Sequence, residues 1–291
     1  MIDWIFSGIG VYFLNKIEKF TFGKLEKEYI KNYEQLCQYN SKDLFKNKSK
    51  FIRILFEEPK IKISDETFFA PIRDTKYKKI IEAKEQDNDP HAVFKSTNDI
   101  NWNDNPPVIY YQTILYSQLL ALHNQNIKPI MISCGALLIS NETEELILHR
   151  RSSSSRTYPN KQHIFGGVML GQTQMARYDK SCWETAKREI KEEIGIELQN
   201  GKYPIYVGEE LDTNFLQIVF LGVPISKKQL NSVVLNWEGE ITRVPFDKIQ
   251  HCFINHNDYV PTALMHIRCW LDLGAPGAKN KYKKYFKDID T

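Results

Sequence analysis

Apolar residues fall into short runs broken by polar turns through the second half of the chain, and into helical spacing in parts of the first. The runs Cys134-Gly-Ala-Leu-Leu-Ile-Ser and Leu146-Ile-Leu-His-Arg-Arg predict two strands joined by the polar turn Asn141 to Glu145. Gln162 to Phe165 predicts a further extended segment, which ends in Gly166-Gly167, and Phe215 to Gly222 predicts another strand. Between them, Ser181-Cys-Trp-Glu184 has the S-x-x-E form of a capping box, in which a hydroxyl and a carboxylate satisfy the free amides of a helix start. The helix is expected to begin at Cys182, and Gly195 stands where a left-handed glycine would close it.

Before residue 130 the pattern is mixed. Leu25, Tyr29, Ile30, Tyr33, Leu36 and Cys37 recur at helical spacing and predict an amphipathic helix over residues 22–39, with its aromatic stripe in a core. Phe51 to Phe56 and Lys60 to Ile63 predict short strands, and residues 87–105 a polar connection; Pro106-Pro107 opens an expected helix through His123, since proline is tolerated in a first turn. Residues 1–20 open with an apolar run shorter than the roughly 20 residues a membrane span needs. The run lacks the basic start and small-residue cleavage site of a secretory signal. Two readings stay open: a buried helix or contact between copies of the chain, or an anchor at a membrane surface through Trp4, Phe6, Tyr12 and Phe13. A boundary is placed at 129/130, separating residues 1–129, of unassigned role, from residues 130–291.

Composition narrows the class. With 42% hydrophobic and 26% charged residues in 291, the chain has the make-up of a globular protein. The net charge is only +3, with both signs interspersed, so no basic stripe argues for nucleic acid. Cys37, Cys134, Cys182, Cys252 and Cys269 are odd in number and scattered without a C-x-x-C pair, which reads as reduced thiols in a cytoplasmic protein. His163 alone among the histidines stands beside the glycine pair, where a packing or hydrogen-bonding role is expected.

Chemistry enters at Arg188-Glu-Ile-Lys-Glu-Glu-Ile-Gly-Ile, which places Glu189, Glu192 and Glu193 on one face of a single helical turn. Like charges at this spacing destabilise a helix by roughly 0.2–0.5 kcal/mol per pair. A cation that neutralises them would turn that cost into a site. Oxygen-only donors suit magnesium or manganese, and neither His nor Cys lies in the cluster to favour zinc. The plainer alternative is a solvated face balanced by Lys and Arg one turn away. The order strand, turn, strand, basic pair, glycine loop, acidic helix favours the site.

This order resembles the Nudix hydrolase family, whose box is written G-x5-E-x7-R-E-U-x-E-E-x-G-U with U aliphatic. Arg188, Glu189, Ile190, Glu192, Glu193, Gly195 and Ile196 match every defined position of its second half. Leu146 to Arg151, Tyr158 to Gly167 and Trp237 to Ile249 are similar to the family's flanking segments, so the resemblance runs over residues 130–273 or so. The first half departs. Counted back from Arg188, the box glutamate falls on Lys180 and its glycine on Gln174. Aligning Gly171-Gln172 with the family's Gly-Glu pair instead puts Gln172 in place of the carboxylate and makes residues 173–180 bulge out before the helix. Asp179 on that bulge is the acid placed to replace the lost charge.

The resemblance implies an α+β fold, a mixed sheet sandwiched between helices in residues 130–291, behind a mainly helical N-terminal extension. It implies metal-dependent hydrolysis of the phosphoanhydride bond of a nucleoside diphosphate linked to another moiety, a nucleotide-derived small molecule. Glu189 and Glu193 are the expected ligands of Mg2+ or Mn2+, joined by a backbone carbonyl at the Gly166-Gly167 loop, taken as Gly167. Glu192 is a further ligand, an outer partner or the base that orients water, and Arg188 is expected to pair with a neighbouring carboxylate and hold the loop. Arg150 and Arg151 are candidates for phosphate, although strand alternation lets only one of them reach it. Glu238 and Glu240 stand where many family members carry an extra catalytic or metal-binding glutamate. Cleavage of RNA caps ranks below small nucleotides for want of a basic tract. The alternative of another class is a catalytically weak module that binds a nucleotide or a regulatory partner, motivated by Gln172 and the insertion.

Overall fold

A computed structural model of the chain describes residues 48–70, 89–155, 157–173, 178–235, 237 and 239–280. The apolar opening, the helix expected over residues 22–39 and Glu238 lie outside the described residues. The strands are β1 (Ser49–Leu55), β2 (Lys60–Ile63), β3 (Pro90–Phe94), β4 (Val108–Leu115), β5 (Ile130–Ser140), β6 (Glu145–Arg151), β7 (Gln162–His163), β8 (Phe165–Val168), β9 (Ile205–Glu210), β10 (Phe215–Pro224) and β11 (Gly239–Pro245). The α-helices are α1 (Tyr116–Asn124), α2 (Cys182–Ile194), α3 (Lys227–Asn231), α4 (Gln250–Ile254) and α5 (Pro261–Asp272).

β5 is the strand around which the sheet is arranged. Its residues are almost all buried, as expected of an apolar run covered on both faces. It runs parallel to β10 on one side and antiparallel, in turn, to β3 at its start, β8 along its middle and β6 at its end. β9 and then β1 extend the sheet beyond β10, β4 and β2 extend it beyond β3, and β7 and β11 flank β6. The result is a mixed sheet with helices, an α+β architecture. β8 approaches β5 closely because Gly135 faces Gly166: a Cβ on either residue would collide with backbone of the other strand.

The box helix α2 forms where its local signals place it. The Ser181 hydroxyl accepts from the Glu184 amide at 3.2 Å, and the Glu184 carboxylate accepts from the Lys180 amide at 2.9 Å. Gly195 ends the helix at φ 72°, its amide donating to the Lys191 carbonyl at 2.9 Å. Cys182, Ala186, Ile190 and Ile194 recur every fourth position and bury one face against Cys134, Ala136, Ile218 and Phe220 of the sheet. On β9, Ile205 and Val207 join that core, whereas Tyr206 faces α5 and donates its hydroxyl to the Met265 sulfur at 2.9 Å. Cys134, Cys182, Cys252 and Cys269 are buried free thiols. No helix among the described residues is long and apolar enough to cross a membrane.

Two segments differ from expectation. Within the polar connection expected over residues 87–105, Pro90–Phe94 is the strand β3, whose Ala92, Val93 and Phe94 are buried. The segment after Pro106-Pro107 is the strand β4 and only then the helix α1, which starts at Tyr116. Val108-Ile-Tyr-Tyr-Gln-Thr-Ile is rich in β-branched and aromatic residues, and Ile109, Tyr111 and Ile114 are buried while Tyr110 and Leu115 are exposed. Antiparallel pairing with β3, Val93 opposite Gln112, supplies the ladder that proline cannot veto from outside the strand.

β1 pairs with β9 and β3 with β5, so residues on both sides of the proposed 129/130 division share one sheet. A chain begun at residue 130 lacks Phe51, Ile54, Val93 and Ile114, all buried in the full chain. It is expected to lose at least about 3 kcal/mol of stability, the burial free energy of one or two large apolar side chains. Chemical denaturation followed by circular dichroism reads the difference, and an undiminished unfolding free energy would establish residues 130–291 as self-sufficient.

Candidate active site

The segment before α2 closes on itself. Leu170 and Asp179 exchange two contacts, the Asp179 amide donating to the Leu170 carbonyl at 3.1 Å and the Leu170 amide to the Asp179 carboxylate at 2.9 Å. The insertion inferred from the sequence therefore has a neck at Leu170 and Asp179. Gln172 is exposed beyond that neck, its carbonyl accepting from the Thr113 hydroxyl at 3.0 Å. The carboxylate that engages Arg188 is thus Asp179, the acid of the bulge that stands in for the charge Gln172 lacks.

Arg188 is buried, and each of its five N–H donors has an acceptor. Nε and Nη2 form a fork on Asp179 at 3.1 and 2.9 Å, and Nη2 also donates to the Val168 carbonyl at 2.9 Å. Nη1 donates to Glu189 at 2.7 Å and to Glu192 at 3.0 Å. Burial alone would favour the neutral guanidine; the hydrogen bonds it donates to Asp179, with the charges of Glu189, Asp179 and Glu192, carry the pKa above its ordinary value instead. Asp179, itself buried, also accepts from the Thr185 hydroxyl at 3.1 Å. Through these bonds Arg188 ties the glycine strand to the helix.

The glycine loop receives two acids of the helix. The Glu189 carboxylate lies against Gly167 in the space a Cβ would occupy. Glu193, buried on α2, accepts from the Gly166 amide at 3.2 Å through Oε2. Its Oε1 is 3.4 Å from Nδ1 of His149, a β6 residue stacked on Phe165 with ring centroids 5.4 Å apart. Burial first and Arg151 second hold the His149 pKa down to about 4, so the ring is neutral near pH 7 and the contact with Glu193 is polar rather than ionic. The Glu192 side chain is half exposed and turned to Arg188. Among the described residues, no three His, Cys, Asp or Glu side chains converge as a metal-binding set.

Alternation along β6 separates the two arginines. Arg151 lies on the face of His149, and its Nη2 donates to the Thr157 hydroxyl at 3.3 Å, while its buried Nε has no hydrogen-bond partner among the described residues. Arg150 lies on the other face, exposed, opposite Glu240 of β11. Glu240 therefore stands on the side away from His149 and Glu193. His163 has the hydrogen-bonding role expected of it, with Nδ1 2.9 Å from the Ile164 carbonyl and Nε2 3.5 Å from the Thr262 hydroxyl. That hydroxyl donates to Glu210, a buried acid whose pKa burial raises. His149 and Glu210 were not singled out from the sequence; the signal for His149 was its place two residues from Arg151 on one strand.

No protein-family model matches the chain, and no curated protein matches it. Among solved structures, the MutT protein from Methanosarcina mazei Go1 is 25% identical over 55% of this chain and 91% of its own, with a TM-score of 0.33. A bifunctional NMN adenylyltransferase/ADP ribose pyrophosphatase from Francisella tularensis, complexed with AMP and a Mn ion, is 14% identical over 53% of this chain and 46% of its own, with a TM-score of 0.41. A NUDIX hydrolase from Alicyclobacillus acidocaldarius is 16% identical over 53% and 96%, with a TM-score of 0.38. These superpositions are partial; the Nudix-like character of the fold rests on the box helix, the glycine loop and the mixed sheet themselves.

Asp179→Asn removes the buried carboxylate of the fork, leaving Glu189 and Glu192 as the anions beside the guanidinium, and is expected to cost about 1–3 kcal/mol of stability. Glu192→Gln, at a half-exposed position, is expected to cost about 0–1 kcal/mol. Denaturant titration of both variants checks the contrast. Acid is a second probe, because burial and then Arg151 lower the His163 pKa to about 3. An unfolded chain takes up protons at His163 and His149 from pH 6.5 downward, whereas the folded chain does so only near pH 3 and 4. Their contribution to stability is complete above pH 6.5 and is lost as the pH falls through that window. Melting temperature against pH should fall less steeply in His163→Gln than in the wild type.

Proposed function

We propose that the chain is a divalent-cation-dependent pyrophosphohydrolase that cleaves the phosphoanhydride of a nucleoside diphosphate linked to another group. The observation that carries this reading is the presentation of Glu189 and Glu193, one helical turn apart, to the same Gly166-Gly167 loop. The donors are hard oxygens, and the Glu189 carboxylate fills the space that a side chain at residue 167 would take, so the residues fit Mg2+ or Mn2+. Glu189, Glu193 and the Gly167 carbonyl would hold the ion. When bound, it supplies positive charge to pyrophosphate oxygens and a water of lowered pKa.

The remaining work falls to the chain's own residues. Glu192, exposed beside the two ligands, is placed to join them or to take a proton from the attacking water. Arg188 has no donor left for substrate, so its part is to fix the helix against the strand that carries the loop. Arg151 shares the face of His149 and offers a guanidinium edge to phosphate oxygens; Arg150 faces the other way. Cytoplasmic placement and a nucleotide-derived small molecule as substrate belong to the same proposal. A second reading, a module that binds a nucleotide with little turnover, is favoured by one observation: Nη1 of Arg188 already occupies Glu189 and Glu192.

Glu193→Gln is expected to lower turnover at least tenfold, about 1.4 kcal/mol of transition-state stabilisation, with the fold intact by circular dichroism. In heavy-oxygen water, one labelled atom should appear in a phosphate-containing product, and a chelator should abolish its formation. Unchanged turnover in Glu193→Gln with the metal still required would move the ion elsewhere. A broad nucleotide screen that gives binding but no metal-dependent cleavage would leave the binding module.

A further inference from the structure

We infer that His149 is a positioning residue for Glu193: its Nδ1–H, together with the Gly166 amide, fixes the carboxylate in the orientation in which it meets a divalent ion. The inference rests on the reading of Glu193 as a metal ligand and goes beyond it by naming what aims that ligand.

Three contacts lock the ring. It lies parallel to Phe165, with 14° between the planes, and Gly239 of β11 packs on its Nε2 edge so tightly that a Cβ there would strike the imidazole. On its Nδ1 edge stands Oε1 of Glu193 at 3.4 Å, while Oε2 takes the Gly166 amide at 3.2 Å. Both oxygens of the acid thus face an N–H or a ring nitrogen supplied by the sheet. A carboxylate accepts at about four lone-pair sites, so two donors leave others for a cation. The His149 contact stands just beyond the usual 2.7–3.2 Å range, a separation that catalytic hydrogen bonds show before ligands bind and close afterwards. A neutral imidazole carries one N–H. If it is on Nδ1, the ring donates to Glu193; if on Nε2, a lone pair faces the carboxylate and repels it.

The test compares His149→Asn, His149→Gln and His149→Leu with Glu193→Gln and wild type. Asparagine places an amide nitrogen near the position of Nδ1, whereas glutamine places it near Nε2. Calorimetric titration with Mn2+ alone reads the site without turnover. Leucine and glutamine are expected to weaken Mn2+ binding roughly 10–100-fold, the usual effect of losing an outer partner, and asparagine to recover most of it at an unchanged melting temperature. If the leucine variant does not fold, the asparagine and glutamine pair decides. Nitrogen-15 chemical shifts of the metal-free wild type should show the proton on Nδ1. A proton on Nε2, or Mn2+ affinity in the glutamine variant equal to that in the asparagine variant, would overturn the inference while leaving the ligand role of Glu193 in place. Mn2+ affinity in Glu193→Gln equal to wild type would overturn that role and the inference with it.

Discussion

A guanidinium taken out of water must find an acceptor for every donor, and the region around α2 is organised by that demand at Arg188. Its five bonds reach four places: the neck at Asp179, the strand end at Val168, and two carboxylates of its own helix. The bond to Val168 brings the strand that carries the glycine loop against the helix, and the fork on Asp179 fixes where the chain enters it. Once both are set, Glu189 and Glu193 have one loop to face. Replacing the pair with apolar residues would relieve the cost of burial but would remove the tie between strand and helix.

The close approach that follows is possible only where side chains are absent. Gly135 and Gly166 let β5 and β8 touch backbone to backbone, Gly167 yields its space to a carboxylate, and Gly239 yields its own to an imidazole. Gly166 adds a φ of 144°, which residues with a Cβ rarely adopt. The two acids meet the backbone of the loop there, Glu193 through the Gly166 amide and Glu189 against Gly167.

What the sequence made legible was mostly local. The start of α2 at Cys182 and its end at Gly195 depend on residues within one turn of each terminus, so Ser181, Glu184 and Gly195 announced them without knowledge of the rest. β5, β6 and β10 were visible as apolar runs with turn residues between them. The segment from Val108 was misread because a proline pair is compatible with a helix start, and the ladder to β3 that decides for a strand joins positions distant in the chain. The same limit applies within the site. The partnership of Asp179 with Arg188 needs the loop closed at its neck, and the meeting of His149 with Glu193 needs β6 folded against the helix. Alternation said that Arg150 and Arg151 part ways and that Arg151 shares the face of His149; only the packed sheet said that this face meets Glu193.

The neck at Leu170 and Asp179 has a consequence for how much this chain can be altered. Because the two residues bond to each other, the length of the segment between them is uncoupled from the geometry of the box. Lengthening a closed loop costs only about 0.6 kcal/mol per doubling. Foreign peptide spliced into residues 173–178 would thus leave the helix and its acids where they are. The neck marks an insertion port, at which a reporter or an affinity tag can be carried without disturbing the tie between Asp179 and Arg188.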